Sequence, residues 1–279
     1  LKEAIDLLQS REDAKILAGG QSLVPLMKLR LAKPAHLIDL SRIRDLSFIR
    51  EQGQSIAIGA MTTYAEIEES PLLLRRCPLL PQTASAVGDV QVRSQGTLGG
   101  SLAHADPAGD MPAAILALGA EIKAVGPRGE RTIKAKDFFL GLLMSALEPD
   151  EILAEITIPI LEQSKTAYLK AAQRASGFAV VGIAVCLKLD SAGVCQDIRI
   201  GVTGVGDIGV TGVGDKVYRA EAVEKQLLGK KLEAGLAQKA AADVTSGVDV
   251  IEDINGSKEY RSHLASVYTV RAIEAALKS

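Results

Sequence analysis

The sequence predicts an α+β protein built in two parts, and three observations carry that expectation. Up to Pro159, helical and strand periods alternate; beyond it, three long strand-period tracts follow one another before a terminal helix. Two glycine pairs, in Ala18-Gly19-Gly20-Gln21-Ser22 and Thr97-Leu98-Gly99-Gly100-Ser101, fall on turns leading into helices.

Taken in order, Leu1 to Gln9 has helical apolar spacing, Ala14 to Ala18 is a short apolar strand, Leu23 to Leu31 is helical, and His36 to Leu40 is a strand. This is a small βαβ-like unit with Gly19-Gly20 at its strand-to-helix turn. A strand at Ser55 to Ile58 opens a second unit, followed by a helix from Tyr64 to Glu69 capped by Thr62 or Thr63. Residues 81–120 carry few charges and many small side chains. Within them a helix from Met111 to Leu118 has Asp110 as its expected N-cap and Pro112 in its first turn, where a missing N–H does no harm. Asp106 is read as a turn residue. Strands Glu121–Val125 and Arg131–Lys134 flank a Gly126-Pro127-Arg128-Gly129 hairpin turn, and Ile152 to Ile158 is a strand ended by Pro159.

Leu161-Glu162-Gln163-Ser164-Lys165 reads as a linker. Strands over Ala167–Gln173, Phe178–Leu189 and Asp197–Val205 then lead through helices to a terminal helix at Ser257–Lys278, so a separate C-terminal α+β domain with an antiparallel sheet is expected. The octet Ile200 to Asp207 is repeated without change as Ile208 to Asp215. One such copy is too short for a solenoid unit, and reads as a local duplication or a sequence error.

With 279 residues, the chain exceeds the roughly 100 to 200 residues of one domain, so two or three are expected. Its 47% apolar and 24% charged residues suit an ordinary globular protein, and a net charge of −2 without basic clusters gives nucleic acid no footing. The longest apolar run, Met111 to Ala120, falls far short of the roughly 18 residues of a membrane span. Leu1 already lies in a helix, so the chain is expected to continue upstream, and there is no signal peptide to read. Cys77, Cys186 and Cys195 lack metal or cluster spacing and are expected as buried or free thiols in a reducing cytosol. No metal site is expected.

The glycine pairs carry the chemistry. A Gly-Gly step lets bare backbone approach a ligand, and amides in a nest, reinforced by a helix N-terminus, bind anions. Two such loops meeting in space would suit a diphosphate. Neither is a Gly-x-Gly-x-x-Gly fingerprint, and no Walker-type Gly-x-x-x-x-Gly-Lys-Ser/Thr occurs, so a Rossmann NAD site and a P-loop are both disfavoured.

The runs Lys15 to Met27 and Gln95 to Asp110 closely resemble the FAD-binding medium subunit of molybdenum hydroxylases, of the carbon monoxide dehydrogenase type within the xanthine dehydrogenase family. The resemblance extends end to end through Ile58-Gly59-Ala60-Met61-Thr62-Thr63, Ile152-Leu153 to Ile158-Pro159, Tyr168-Leu169-Lys170 and the Tyr260-Arg261 helix. It implies a two-subdomain FAD-binding domain of the PCMH type, similar to vanillyl-alcohol oxidase, over residues 1–163, divided near residue 50. A flavoprotein C-terminal domain would follow over 164–279.

By the same resemblance, Lys15, Ile16, Leu17, Ala18, Gly19, Gly20, Gln21, Ser22 and Leu23 wrap the FAD diphosphate and ribityl chain. Thr97, Gly99, Gly100, Ser101, Ala103, His104, Gly109 and Asp110 form a second wall, with Ser101 standing where the wider family often has Asn. Asp110 then has two readings, helix cap and a carboxylate on the flavin's ribose or ring side. Ile152 and Leu153 match positions against the isoalloxazine, or are strand core. Lys170 matches a position that reaches the flavin ring, where a cation favours reduction, or is a solvated strand lysine. Phe178 is expected in the core, with a flavin-shielding role as its other reading. His104 has both a flavin-side and a structural reading.

The implied function is an oxidoreductase subunit with no catalytic residue of its own. Electrons would pass from [2Fe-2S] clusters of a small subunit through FAD to an external acceptor such as a quinone or NAD, and substrate would be oxidised on a molybdopterin large subunit. The assembly implied is a dimer of heterotrimers in the cytoplasm. No Cys-rich insertion is present, which sets aside the branch with an additional cluster in this subunit. Two other readings stand beside it: a self-sufficient NADPH-dependent enzyme of the UDP-N-acetylenolpyruvoylglucosamine reductase kind, for which no proton donor and carboxylate set is found, and a flavin-free scaffold.

Overall fold

A helix with no polar face forms the centre of the molecule. In this computed structural model, which describes residues 1–205 and 216–279, every residue from Asp110 to Leu118 is buried. The run Asp-Met-Pro-Ala-Ala-Ile-Leu-Ala-Leu has apolar side chains all round, which only burial on every side can satisfy. Everything else is arranged about it.

The N-terminal lobe holds α1 (Lys2–Ser10), β1 (Ala14–Leu17), α2 (Leu23–Lys28) and β2 (His36–Asp39), with β1 and β2 parallel as a βαβ unit requires. The α2 helix stops at Lys28, short of the expected Leu31, and Arg30 takes a left-handed conformation (φ 60°). A five-stranded antiparallel sheet of order β3-β4-β9-β5-β6 follows, from β3 (Ile49–Gln52), β4 (Ser55–Gly59), β5 (Glu121–Gly126), β6 (Gly129–Lys134) and β9 (Ile152–Pro159). Its edge strand β3 is Ile-Arg-Glu-Gln, mostly exposed and without the apolar alternation that betrays a strand.

Between β4 and β5 lie α3 (Tyr64–Glu69), α4 (Pro71–Arg76), α5 (Leu79–Ser85), α6 (Val90–Gln95), α7 (Leu98–His104) and the central α8 (Asp110–Leu118). A capping box opens α3: the Thr63 hydroxyl accepts from the Glu66 amide, and the Glu66 carboxylate accepts from the Thr63 amide. The short α9 (Ala135–Phe138) and the hairpin β7 (Phe139–Gly141) and β8 (Met144–Ser145) lead back to β9.

A second antiparallel sheet, among the described residues β10 (Lys165–Ala172), β11 (Ala179–Leu189), β12 (Cys195–Thr203) and β13 (Tyr218–Arg219), carries α10 (Glu221–Leu227), α11 (Ala234–Ala241) and α12 (Lys258–Lys278). The tandem octet begins in β12, and its residues 206–215 lie outside the described residues. The segment at Leu161–Lys165 is no loose linker. Ile160 and Leu161 pack on the first core, and Lys165 already belongs to β10.

The α8 helix joins the two sheets. It packs on β9 on one side and on β11 and β12 on the other, and Gly201 of β12 meets the Ala113 backbone so closely that a Cβ there would overlap the Ala113 carbonyl. Tyr168, Ala184 and Val217 of the second half are part of the same hydrophobic cluster as Ile115 and Phe138 of the first. All three cysteines are free and buried.

Candidate functional site

The two glycine pairs come together, and each glycine of the second pair has a different reason to be one. Thr97 is the N-cap of α7 and its hydroxyl accepts from the Gly100 amide at 3.2 Å, so Gly99 and Gly100 lie inside the first helical turn and not on a loop before it. Gly99 donates its amide to the Ala60 carbonyl at 2.8 Å, and a Cβ on Gly99 would overlap Ala60. It lets α7 lie against the β4–α3 connection. At Gly100 an added Cβ would crowd the capping Thr97 hydroxyl at 2.7 Å and stand 3.3 Å from the Ala18 Cβ of the N-terminal lobe.

Gly19 closes the seam from the other side. A Cβ on it would overlap the Gln95 carbonyl and stand 2.9 Å from the Gly96 Cα. Gly20 next to it is left-handed (φ 72°), which glycine adopts without strain. Among the described residues, the amides of Gly19, Gly20, Gln21 and Ser22 donate to no protein acceptor, while the N-terminal amides of α7 are taken by Thr62, Ala60 and Thr97. The donor-rich wall is therefore the first loop; the second supplies shape.

Behind the seam stands a buried polar cluster. Asp110 is not the cap of α8: Gly109 is, and it provides no side-chain bond. The Asp110 carboxylate turns instead across to the second sheet, where Oδ1 accepts from the Tyr168 hydroxyl and Oδ2 from the Lys170 ammonium at 3.0 Å. Its place in the first helical turn still sets its negative charge favourably against the helix dipole. The Lys170 and Asp110 side chains are only 6% and 7% exposed, so Lys170 is not a solvated lysine. Its remaining donors reach the carbonyls of Ala86 (2.6 Å) and Gly177 (2.7 Å).

Burial pushes the Asp110 carboxyl upward, and the Lys170 charge and the Tyr168 hydroxyl pull it back. Tyr168 is held well above an ordinary phenol by burial and by Asp110. Tyr64 of α3, beside Ser101 of α7, is pushed up to about 12, mainly by burial. Ser101, Tyr64, Asp110, Tyr168 and Lys170 thus form one group reaching from the glycine helix into the second sheet.

The other residues lie as follows. Lys15 is exposed, and Ile16, Leu17, Ala18, Ser22 and Leu23 are half-buried along β1 and into α2. Ala103 is half-buried in α7. His104 ends α7, with Nε2 4.0 Å from the Asp106 carboxylate. Asp106 makes the turn, accepting from the Ala108 amide at 2.9 Å. Ile152 and Leu153 are both buried in β9, in different clusters. Phe178 is not a core residue: it is 49% exposed at the tip between β10 and β11.

Tyr168 and Tyr64 were not among the sequence candidates. Tyr168 had a signal, since it stands two residues before Lys170 and so shares its face of the strand. No group of three or more His, Cys, Asp or Glu among the described residues is placed to hold a metal, and no helix among them is long and apolar enough to cross a membrane.

Residues 1–161 match the family described as the FAD binding domain in molybdopterin dehydrogenase, and residues 166–276 the CO dehydrogenase flavoprotein C-terminal domain. The carbon monoxide dehydrogenase medium chain of Hydrogenophaga pseudoflava is 40% identical over 276 residues, covering 98% of this chain and 93% of that one. The glyceraldehyde dehydrogenase medium chain of Sulfolobus acidocaldarius is 35% identical over 274 residues, with 98% and 94% covered. The solved carbon monoxide dehydrogenase from Hydrogenophaga pseudoflava that lacks the Mo-pyranopterin moiety of its molybdenum cofactor superposes with a TM-score of 0.92 at 41% identity, over 99% of this chain and 94% of that one.

Proposed function

The chain belongs to the FAD subunits of the molybdenum hydroxylases, and from that premise we propose that it carries electrons between an iron-sulfur partner subunit and an external acceptor such as a quinone or NAD. The observation that carries the reading is the seam at Gly19. Four successive amides there lack acceptors among the described residues, and the facing wall at Gln95–Gly100 approaches more closely than any side chain on Gly19 would permit. Such a nest suits the diphosphate of FAD.

Lys15 to Leu23 then hold the diphosphate and ribityl chain. Thr97, Gly99, Gly100, Ser101, Ala103, His104, Gly109 and Asp110 make the opposite wall, with Ile152, Leu153 and Lys170 toward the ring. Residues 1–163 form the FAD-binding domain and 164–279 the C-terminal domain. When bound, FAD supplies the exchange of single electrons on one side with a two-electron acceptor on the other.

Substrate is oxidised on a molybdopterin large subunit, in an assembly of two heterotrimers. Two medium chains named for different reactions, of carbon monoxide and of glyceraldehyde, match this chain to similar extents, which supports placing the choice of substrate outside it. Purification of the native complex with flavin and metal analysis tests the reading. Flavin together with iron and molybdenum is expected. Flavin alone would point to a self-sufficient enzyme, and a chain without flavin bands after incubation with FAD would end the cofactor assignment.

A further inference from the structure

We propose that Tyr168 is a positioning residue whose hydroxyl keeps Asp110 ionised, so that the buried Lys170 charge stays compensated and the flavin potential is held down. The inference rests on the FAD reading above for its effect on potential, and on this chain alone for the state of Asp110.

Three observations carry it. The Asp110 carboxylate is buried and, among the described residues, receives two side-chain donors, Tyr168 on Oδ1 and Lys170 on Oδ2. The three donors of the Lys170 ammonium are all engaged, on Asp110 Oδ2 and on the half-buried carbonyls of Ala86 and Gly177, so none is left over for Oδ1. The second sheet is also shaped around the phenol. Gly182 of β11 pairs with Lys170 across the ladder, and a Cβ on it would overlap the Tyr168 hydroxyl. Glycine weakens a strand interior, and here its lack of a side chain is what seats the hydroxyl against Asp110.

The charges facing Asp110 can be added up. From β10 come the Lys170 cation and the neutral Tyr168; from α3, the neutral Tyr64; from the preceding loop, the Asp106 carboxylate, which opposes ionisation of Asp110. With Asp110 ionised, the Asp110–Lys170 pair carries no net charge. With Asp110 protonated, it carries one positive charge. Removing the Tyr168 hydroxyl leaves Oδ1 of a 7%-exposed carboxylate without its donor, and burial then favours the protonated form. An uncompensated cation beside the flavin then favours the reduced, more negative cofactor.

The test uses the full chain in two states. In the chain without FAD, infrared spectra at neutral pH should show a protonated-carboxyl band in Tyr168→Phe that wild type lacks and that disappears in Tyr168→Phe combined with Asp110→Asn. In the FAD-loaded chain, Tyr168→Phe should have a higher flavin midpoint potential. A residue that merely bolts the sheets together would lower Tm and move neither signal. The proposal is overturned if Tyr168→Phe gains no such band, or if its potential is unchanged or lower while it retains FAD. Should Tyr168→Phe not fold, the difference spectrum of wild type and Asp110→Asn decides, because a protonated Asp110 in wild type is equally fatal. A chain that takes up no FAD would remove the cofactor reading and leave the infrared result standing on its own.

Discussion

At Gly19 the obstacle to any side chain is backbone, the Gln95 carbonyl and the Gly96 Cα, and no rotamer change relieves it. Gly19→Ala must therefore push the N-terminal lobe off the α6–α7 connection. Opening the seam should weaken FAD binding at least about tenfold, or about 1.4 kcal/mol, with far-ultraviolet circular dichroism unchanged. Gly235 supplies the control. It lies within α11 with open space around its missing Cβ and an ordinary φ, so Gly235→Ala should leave FAD affinity alone and raise stability by roughly 0.4–1 kcal/mol. Equilibrium dialysis of the two variants decides: equal affinities would place the seam away from the cofactor. That these glycines matter was legible in the sequence, because Gly-Gly beside Gln or Ser has a chemistry of its own. Their division of labour was not. Gly99 makes room for Ala60, a contact that no local pattern encodes, whereas Gly100 makes room first for the Thr97 hydroxyl of its own cap and then for Ala18. The cap reading of Asp110 failed for a related reason: a cap is a local rule, while its partners Tyr168 and Lys170 arrive from β10 through the tertiary fold.

Among the elements, those with strong local chemistry matched their sequence signals. The Thr63 cap, the Gly126–Gly129 hairpin and the start of α12 at Ser257 each rest on residues within a few positions of one another, and the parallel β1 and β2 are joined by one short helix. The strand β3 went unread because its polar residues line an exposed edge, and α4 to α6 because their shortness leaves little room for a helical period. The β6 edge of the same sheet is fastened by Arg131, which grips both Glu151 oxygens at 2.7 and 2.8 Å, while the Glu148 amide donates to the same carboxylate. The Arg131 bond holds the Glu151 carboxyl below the usual carboxylate range. A carboxyl whose folded pKa is lowered adds stability above its unfolded value, about 4.3, and that stability is lost as pH falls through the folded value. Wild type should therefore lose Tm on acidification below about pH 4.3 more steeply than Glu151→Gln. Parallel Tm curves for the two proteins would show that the clamp does not contribute to the sheet's acid sensitivity.

In the molecule as a whole, the two sheets share one helix, and that sharing makes the Asp110–Tyr168–Lys170 group possible. Asp110 opens α8, whose other residues fill the space between β9 and the second sheet, so its carboxylate is delivered to β10 as a consequence of packing. The seam is reinforced at the far end of β12, where the Thr203 hydroxyl lies 2.6 Å from the Pro107 carbonyl and the Gly204 amide donates to the same carbonyl at 2.7 Å. Neither sheet can leave α8 without exposing apolar surface, and the second would also break these bonds, so both should unfold in one transition. Gly201 is the place to test this, because α8 and β12 touch there backbone to backbone. Gly201→Ala forces a methyl into the Ala113 carbonyl and should cost about 3 kcal/mol, lowering Tm by roughly 6–12 °C. If the halves are coupled as the packing requires, calorimetry of the variant will show a single shifted peak. Two peaks, with just the later one moved, would mean that the second sheet merely rests on α8, and that the Lys170–Asp110 pair is held from one side alone.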